Sequence, residues 1–311
     1  MNDKNVISID LGYSSSKVAY MDKVAKFPTS ISFATDLGIE YGNDSIYEFE
    51  GSRYYVGKDA VGSESFSTTD YKFLEKFAPL LIYHILSKFE KADLDEPIIV
   101  KTGLAIVDWG KKDNFIERIS NITVDGNNVQ IVPQLMPQGA GCIYDWIYYN
   151  NDSEFPKKSF VIDIGYNTIN ILGFNGNQPV RKEMKSYPGH GVSSIIKPFT
   201  SFMENKFAVT FSDQEAIGIF IDGEFMYNGE VQEIVSEKIV ELKKQFVQKM
   251  FQSVLRDDRK AMGMATNVLI AGGGTYLLQD VPFPPNVEFV DAPYEFSNAR
   301  GYLISDLVNN N

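Results

Sequence analysis

The sequence predicts an α/β protein built from two similar domains that face each other across a cleft. Two short apolar runs, which begin at Val6 and Phe160, each end in Asp-x-Gly and are followed by small or hydroxylated residues and a second β-rich stretch. Continuous apolar runs bounded by turn residues are typical of buried strands. A third apolar run, 268–271, leads into the glycine triplet 272–274 near the C-terminus. A strand–turn–strand unit that recurs half a chain later indicates a repeat on the scale of a domain.

The two Asp-x-Gly turns point to phosphate binding. Asp10 and Gly12 form the first turn, and Asp163 and Gly165 form the second. Backbone N–H groups at a tight glycine turn can hold a phosphate, and a carboxylate beside it can hold Mg²⁺, often through water. Two such turns on separate domains therefore predict a nucleotide held between them.

Length and composition exclude several classes of protein. A chain of 311 residues corresponds to one large or two ordinary domains, and 29 basic against 41 acidic residues give a net charge of −12, which argues against direct coating of nucleic acid. Cys142 is the only cysteine, so no intramolecular disulfide forms, and with His84 and His190 it does not make a usual zinc site. No apolar run is long enough to span a membrane, and the N-terminus leads directly into a strand, so we expect a cytoplasmic protein.

Periodicity and turn residues predict the remaining elements in order. Asp70 is expected to cap a helix with apolar residues at helical spacing, and Asp125-Gly126 to form a hairpin turn within 123–132. The further predictions are helices at 111–119, 139–149, 231–251 and 298–308, and strands at 98–100, 168–174 and near 180–185.

Taken in this order, the motifs resemble those of the actin/Hsp70/sugar-kinase superfamily, and within it the actin-like proteins of the ParM type from bacteria and archaea. The stretch 102–105 is similar to the Gly-Leu-Pro stretch of ParM-type chains, with Ala105 in place of proline. The resemblance implies an actin-like fold, in which two RNase H-like domains flank a nucleotide cleft. The expected domains are 1–150, with a small inserted subdomain at about 27–70, and 151–297, with the C-terminal helix 298–311 packing back on the first domain.

The resemblance implies that the first loop binds the phosphates of the nucleotide. Asp10 would hold Mg²⁺ through water, and Lys17 would neutralise the β- and γ-phosphates. The other cofactor-binding positions that it implies in this loop are Gly12, Tyr13, Ser14, Ser15 and Ser16.

The second loop would face the γ-phosphate. The resemblance implies that Asp163 orients the attacking water or Mg²⁺, with Gly165, Asn167 and Thr168 close to the phosphate. This loop departs from the common Gly-Gly-x-Thr pattern at residues 166–167, and Asn170 stands where ParM-type proteins often have aspartate.

A glutamine between the two loops is expected to position the hydrolytic water. Gln134 and Gln138 both precede the small residues that open the next helix. Gln134 is preferred because it follows Val-Pro and has the ParM-type spacing to Gly139, whereas Gln138 lies closer to the small residues; either could instead cap the helix. A carboxamide orients water but is a poor base, so slow hydrolysis is expected.

The glycine triplet is similar to the adenosine motif of the family, where successive glycines let the backbone approach the purine and the α-phosphate. The residues implied are Gly272, Gly273, Gly274 and Thr275. Lys238 and Glu241, on the long helix 231–251, would flank the adenine from the other side. Ala299 and Gly301 are interpreted as hinge packing between interdomain helices.

The function that the resemblance implies is an ATPase that forms filaments, with hydrolysis coupled to polymer turnover. ATP with Mg²⁺ is the expected cofactor, although GTP stays open because the glycine motif contacts mainly backbone and purine face. Plasmid or DNA segregation through a separate DNA-binding adaptor is the expected setting, with no direct contact to nucleic acid or membrane. A small-molecule kinase of the same superfamily and a non-hydrolysing actin-like scaffold are the alternatives.

Overall fold

The computed structural model describes residues 5–34, 45–60, 65–66, 70–89, 96–150 and 155–309. No helix within these ranges is both long and apolar enough to cross a membrane.

A six-stranded mixed sheet forms the base of the first domain. Its strand order is β3-β2-β1-β7-β9-β8, in which β1, β7 and β9 are parallel and the outer pairs are antiparallel. A separate three-stranded sheet, β4-β6-β5, lies within the predicted inserted subdomain. The strands are β1 (Val6–Leu11), β2 (Ser15–Tyr20), β3 (Lys23–Pro28), β4 (Ile31–Phe33), β5 (Ile46–Phe49), β6 (Ser52–Val56), β7 (Ile98–Leu104), β8 (Asn121–Val124) and β9 (Asn127–Pro137); the helices are α1 (Tyr71–Ser87), α2 (Lys112–Ser120) and α3 (Ala140–Tyr149).

Two local predictions for the first domain are confirmed. The Asp70 side chain accepts a hydrogen bond from the Phe73 N–H at 3.0 Å and so caps α1, whose apolar face is buried in the core. Asp125 and Gly126 both have positive φ, as a two-residue turn between β8 and β9 requires.

The second domain repeats the plan of the first. Its sheet order is β12-β11-β10-β16-β17, with β13 also paired to β11, and β10, β16 and β17 run parallel. The elements are β10 (Ser159–Ile164), β11 (Thr168–Asn175), β12 (Gln178–Pro179), β13 (Lys185–Pro188), β14 (Met226–Tyr227), β15 (Glu230–Val231), β16 (Asn267–Ala271) and β17 (Val287–Phe289); α4 (Ser193–Phe207), α5 (Asp213–Asp222), α6 (Glu233–Lys249) and α7 (Arg259–Gly263).

The strand predicted near 180–185 lies further along the chain. Residues 181–183 form a single 3-10 turn, and β13 begins at Lys185. The strand prediction was wrong for 180–184 because pairing with β11, a long-range contact, determines which residues extend.

The two Asp-x-Gly hairpins share one register. Asp10 is the cross-strand partner of Lys17 in the β1–β2 hairpin, and Asp163 is the partner of Asn170 in the β10–β11 hairpin. The same offset in both halves confirms the predicted repeat. Asn170 therefore occupies in the second hairpin the position that Lys17 occupies in the first.

The C-terminal helix α8 (Ser297–Asn309) crosses α3 and packs against β1, β2 and β7 of the first sheet. Gly141 and Gly301 meet at the crossing, where a Cβ on Gly301 would overlap the backbone of Gly141. Arg300 and Asp145 add a buried bidentate ion pair, with Nε–Oδ1 and Nη2–Oδ2 distances of 2.8 and 2.7 Å. Close backbone packing and this ion pair fix the two helices that connect the domains.

Candidate functional site

The cleft between the two sheets lies at the ends of β1 and β10. Its volume is about 480 Å³, including the part open to solvent. The lining residues come from both Asp-x-Gly turns, the β9–α3 junction, the glycine triplet and the start of α8. From the predicted site they are Asp10, Gly12, Tyr13, Lys17, Gln138, Asp163, Gly165, Asn167, Thr168, Gly272 and Gly273.

The first turn places a carboxylate and an ammonium group in the cleft. Asp10 is 4% exposed, and its Oδ2 lies 3.9 Å from Lys17 Nζ. A Cβ on Gly12 would lie 2.7 Å from both Lys17 Nζ and the Ser15 carbonyl oxygen, so the turn can close only around glycine. Ser15 and Ser16 are buried in β2, and Ser16 shares a hydrogen bond with Thr29 at 3.1 Å.

The segment before α4 supports the second turn. The N–H groups of Gly189 and Gly191 donate to the Asn167 carbonyl at 2.7 and 3.3 Å, and the Ser193 N–H donates to the Tyr166 carbonyl at 2.6 Å. Residues 165–167 are therefore held by hydrogen bonds to the start of α4 and the segment before it. Tyr166, an unexpected residue in this loop, donates its hydroxyl to Asp213 Oδ2 at 2.9 Å.

Asp163 is a buried acid of the cleft whose pKa is raised. Burial and, to a lesser extent, the nearby charge of Asp10 raise its pKa from 3.8 to about 6, against hydrogen bonds from Asn298 and Asn170 and the charge of Lys17. Burial likewise raises the pKa of Asp10, against the charge of Lys17. Two buried carboxylates with raised pKa values are typical of a site that takes a cation or shares a proton.

The structure separates the two candidate glutamines. Gln138 Nε2 donates to Asp10 Oδ1 at 3.3 Å, and Asn170 Nδ2 donates to Gln138 Oε1 at 3.5 Å, so this side chain bridges the two hairpins. Gln134 lies on β9 opposite Lys101 and is exposed, outside the cleft lining. Four residues of extended strand span ~13 Å. The geometry favours Gln138 and so reverses the preference for Gln134.

β9 is longer than the sequence indicates, which explains this separation. The strand continues to Pro137 and pairs with β7 over its last residues, while β8 covers only its beginning. Pro133 is tolerated because no β8 partner lies opposite it. The glutamine that lines the cleft is therefore the last residue before the Gly139 turn.

The glycine triplet closes the side of the cleft next to Asp163. Gly272 has a φ of +84°, and a Cβ there would lie 2.5 Å from Asp163 Oδ1, so both conformation and space require glycine. Gly273 lines the cleft together with Tyr294 and Glu295. Gly274 packs against Ile164, and Thr275 is fully buried, which indicates a supporting position for both.

Lys238 and Glu241 lie on α6, outside the residues that line the cleft. Their side chains form an ion pair with each other, with an Nζ–Oε2 distance of 2.8 Å. Ser14 also lies outside the lining, although its carbonyl and hydroxyl oxygens accept hydrogen bonds from Gln214 across the cleft.

Asn298, which the sequence indicates only as the start of the C-terminal helix, lies in the cleft. It is 4% exposed, donates from Nδ2 to Asp163 Oδ2 at 3.0 Å, and accepts at Oδ1 from the Gly139 N–H at 2.9 Å. The first turn of α8 is therefore tied to both the cleft carboxylate and the start of α3. Asparagine at a helix start usually indicates a cap, so only the folded arrangement reveals this contact.

Family comparisons agree with the repeated fold and the cleft. The sequence matches the family model of the N-terminal domain of actin-like proteins over residues 8–141, and that of the C-terminal domain of archaeal MreB-like actin homologues over residues 161–281. The chain belongs to the actin-like superfamily. No curated protein matches this actin-like chain in sequence.

Solved structures of actin-like proteins superpose on nearly the whole chain. A ParM from a 15-stranded filament of Clostridium botulinum has 23% identity and a TM-score of 0.76, covering 98% of this chain and 99% of the ParM. The archaeal actin homologue Ta0583 has 18% identity and a TM-score of 0.75, covering 98% of this chain and 99% of its own. Bacillus thuringiensis ParM, solved with AMPPNP, has 13% identity and a TM-score of 0.69, covering 99% and 100%. At these identities the likeness establishes the actin-like fold, as predicted.

Proposed function

We propose that this actin-like protein binds and hydrolyses a nucleoside triphosphate, with ATP and Mg²⁺ as its expected ligands, and that nucleotide controls its self-association into filaments. The observation that supports this most is the placement of Asp10 and Asp163 in one register on matching strands, buried at opposite sides of a single cleft. Duplicated carboxylates facing a shared cavity suit phosphoryl chemistry, where positioning and charge do most of the work.

The cleft has the space and the donors that a phosphate chain needs. Glycine at positions 12 and 272 leaves room that a side chain would fill. Lys17 is the one basic side chain among the described residues that line the cleft. Within the residues that the structure describes, no group of three or more histidine, cysteine or acidic side chains could hold a metal ion. A cation would therefore depend on two carboxylates together with phosphate and water, as Mg²⁺ commonly does.

We assign the roles as follows. Asp10 and Asp163 would hold Mg²⁺, which when bound neutralises charge developing on the phosphates. Lys17 pairs with the phosphates, and the Gln138 carboxamide orients the attacking water. Asp163 would also accept a hydrogen bond from that water, since its buried carboxylate lines the cleft.

The glutamine assignment has a direct test. Gln138→Ala is expected to lower the rate of phosphate release about 10- to 100-fold, because the water loses its orienting group. Gln134→Ala, an exposed change four residues earlier in β9, is the matched control, and its rate of phosphate release is expected to stay within about 2-fold of wild type. Nucleotide affinity, measured by titration calorimetry, should change little in either variant. A slow Gln134→Ala beside a normal Gln138→Ala would show that the assignment is wrong.

Filament formation and nucleotide identity are supported by relatives and remain proposals for this chain. The C. botulinum ParM forms a 15-stranded filament, Ta0583 was solved with ADP, and the B. thuringiensis ParM was solved with AMPPNP. These favour self-association and an adenine nucleotide. We further propose a role in DNA or plasmid segregation. A separate DNA-binding adaptor would link the protein to DNA, because a net charge of −12 disfavours direct contact with nucleic acid.

A further inference from the structure

The start of α5 touches both phosphate loops, although α5 lies far from them in sequence. Gln214 Nε2 donates to the Ser14 carbonyl oxygen at 3.1 Å and to Ser14 Oγ at 3.4 Å. The preceding residue, Asp213, accepts from the Tyr166 hydroxyl at 2.9 Å. Ser14 belongs to the first loop and Tyr166 to the second. Two adjacent residues of one helix thus contact the loops that approach the phosphates from opposite domains.

The helix start is held in place independently of these contacts. Ser212 and Glu215 form a capping box, in which Glu215 Oε2 accepts from the Ser212 N–H at 2.7 Å and Ser212 Oγ accepts from the Glu215 N–H at 3.2 Å. Further along α5, Phe220 is buried and packs edge-on against Phe199 of α4 at 5.3 Å between ring centres. Gln214 therefore extends from a fixed point of the second domain.

The second loop is hydrogen-bonded to the same domain. Hydrogen bonds from Val192 and Ser193, at the start of α4, end on the carbonyl groups of Gly165 and Tyr166. From this body of α4, α5 and the second loop, Gln214 reaches the first loop. We call the Gln214–Ser14 hydrogen bonds the cross-cleft contact.

The cross-cleft contact has consequences for the nucleotide. A bound phosphate chain would lie between the two loops, so it can leave only when they separate. The contact closes the loops on each other and holds the Ser14 carbonyl, which fixes the backbone of the first turn. Opening of the cleft must break the cross-cleft contact. The contact therefore lowers the opening rate by the factor that corresponds to the free energy of one net hydrogen bond.

We propose that Gln214 is a positioning residue, which orders the first phosphate loop and slows nucleotide release by joining it to the second domain. This inference rests on the proposed function, since it concerns the same cleft.

The test compares Gln214→Met with Gln245→Met in the full chain. Methionine keeps the length of glutamine and removes the donor. Gln245, exposed on α6, donates a hydrogen bond within its own helix, to Glu241 Oε1 at 2.7 Å, and is the matched control. The dissociation rate of a fluorescent ATP analogue with Mg²⁺ is expected to rise about 5-fold in Gln214→Met and to stay unchanged in Gln245→Met. The melting temperatures of both variants should match wild type, which separates positioning from structural damage.

Hydrogen exchange of the nucleotide-free protein gives a second readout. Amides of residues 12–16 should exchange faster in Gln214→Met than in either wild type or Gln245→Met. Equal release rates and equal exchange in the two variants would overturn the inference while leaving the proposed function intact. If wild type fails to bind any nucleotide, the proposed function fails, and the exchange result alone then decides whether Gln214 orders the loop.

Discussion

Asp163→Asn is expected to lower phosphate release by at least about 100-fold and, at the same time, to stabilise the nucleotide-free protein. The loss of activity follows because the amide can neither take a proton nor balance a cation. The gain in stability follows because the wild-type carboxylate is 3% exposed and lies in the field of Asp10. The oxygen of the substituted carboxamide can still accept the hydrogen bond from Asn298, so the packing of the hinge is kept.

The stability effect has a defined pH window. The pKa of Asp163 is about 6 in the folded protein against 3.8 as an ordinary aspartate. Between these values the folded state binds the proton more tightly, so the wild-type protein loses stability as the pH rises, and the loss is complete above about 6. The shift corresponds to at most about 3 kcal/mol. Asp163→Asn should therefore exceed wild type in unfolding free energy at pH 7.5, with the difference shrinking towards pH 4.

Urea unfolding of the nucleotide-free proteins at both pH values measures this difference. Asp280→Asn, at an exposed position, is the control and should behave as wild type at both. An Asp163→Asn protein that is less stable than wild type at pH 7.5 would show that the carboxylate contributes to the fold rather than opposing it. Substitution of an active-site residue commonly raises the unfolding free energy, because active sites are often arranged for activity at a cost in stability.

Gly301→Ala is expected to lower the unfolding free energy by about 3 kcal/mol or more. The added Cβ would overlap the carbonyl group and the Cα of Gly141, which are backbone atoms and cannot rotate aside. The helices α3 and α8 must then separate, and the Arg300–Asp145 ion pair that joins them is strained as well.

Gly218→Ala on α5 is the matched control, since a Cβ at that helical position meets nothing within 4 Å. Higher helix propensity should raise its stability by about 0.5–1 kcal/mol. If close packing at the crossing is essential, urea unfolding will give a lower unfolding free energy than wild type for Gly301→Ala and a higher one for Gly218→Ala. Equal stability of Gly301→Ala and wild type would contradict the crossing geometry.

Local signals were sufficient for much of the fold. The buried strands at Val6 and Phe160, the Asp70 cap and the Asp125-Gly126 turn all depend on short-range chemistry, and the structure confirms each of them. The domain limits 1–150 and 151–297 remain predictions, and residues 151–154 of that junction lie outside the described residues.

Long-range contacts account for what the sequence could not show. Whether β9 ends before or after Gln134 depends on pairing with β7, which no local pattern encodes. The partners of Asn298 and Gln214 are more than a hundred residues away along the chain. Lys238 was expected at the cleft because of its helix, yet it pairs with Glu241 instead.

Light scattering of the purified protein, recorded together with phosphate release, tests the central claim most directly. The samples contain Mg-ATP, Mg-GTP, Mg-AMPPNP or no nucleotide. We expect scattering to rise with Mg-ATP before phosphate appears, to persist with Mg-AMPPNP, and to stay at baseline without nucleotide. A rise in scattering with Mg-GTP alone would identify GTP as the nucleotide and leave the proposed mechanism unchanged. Tight nucleotide binding with no rise at tens of micromolar protein would contradict nucleotide-controlled polymerisation and favour a kinase or a non-hydrolysing scaffold.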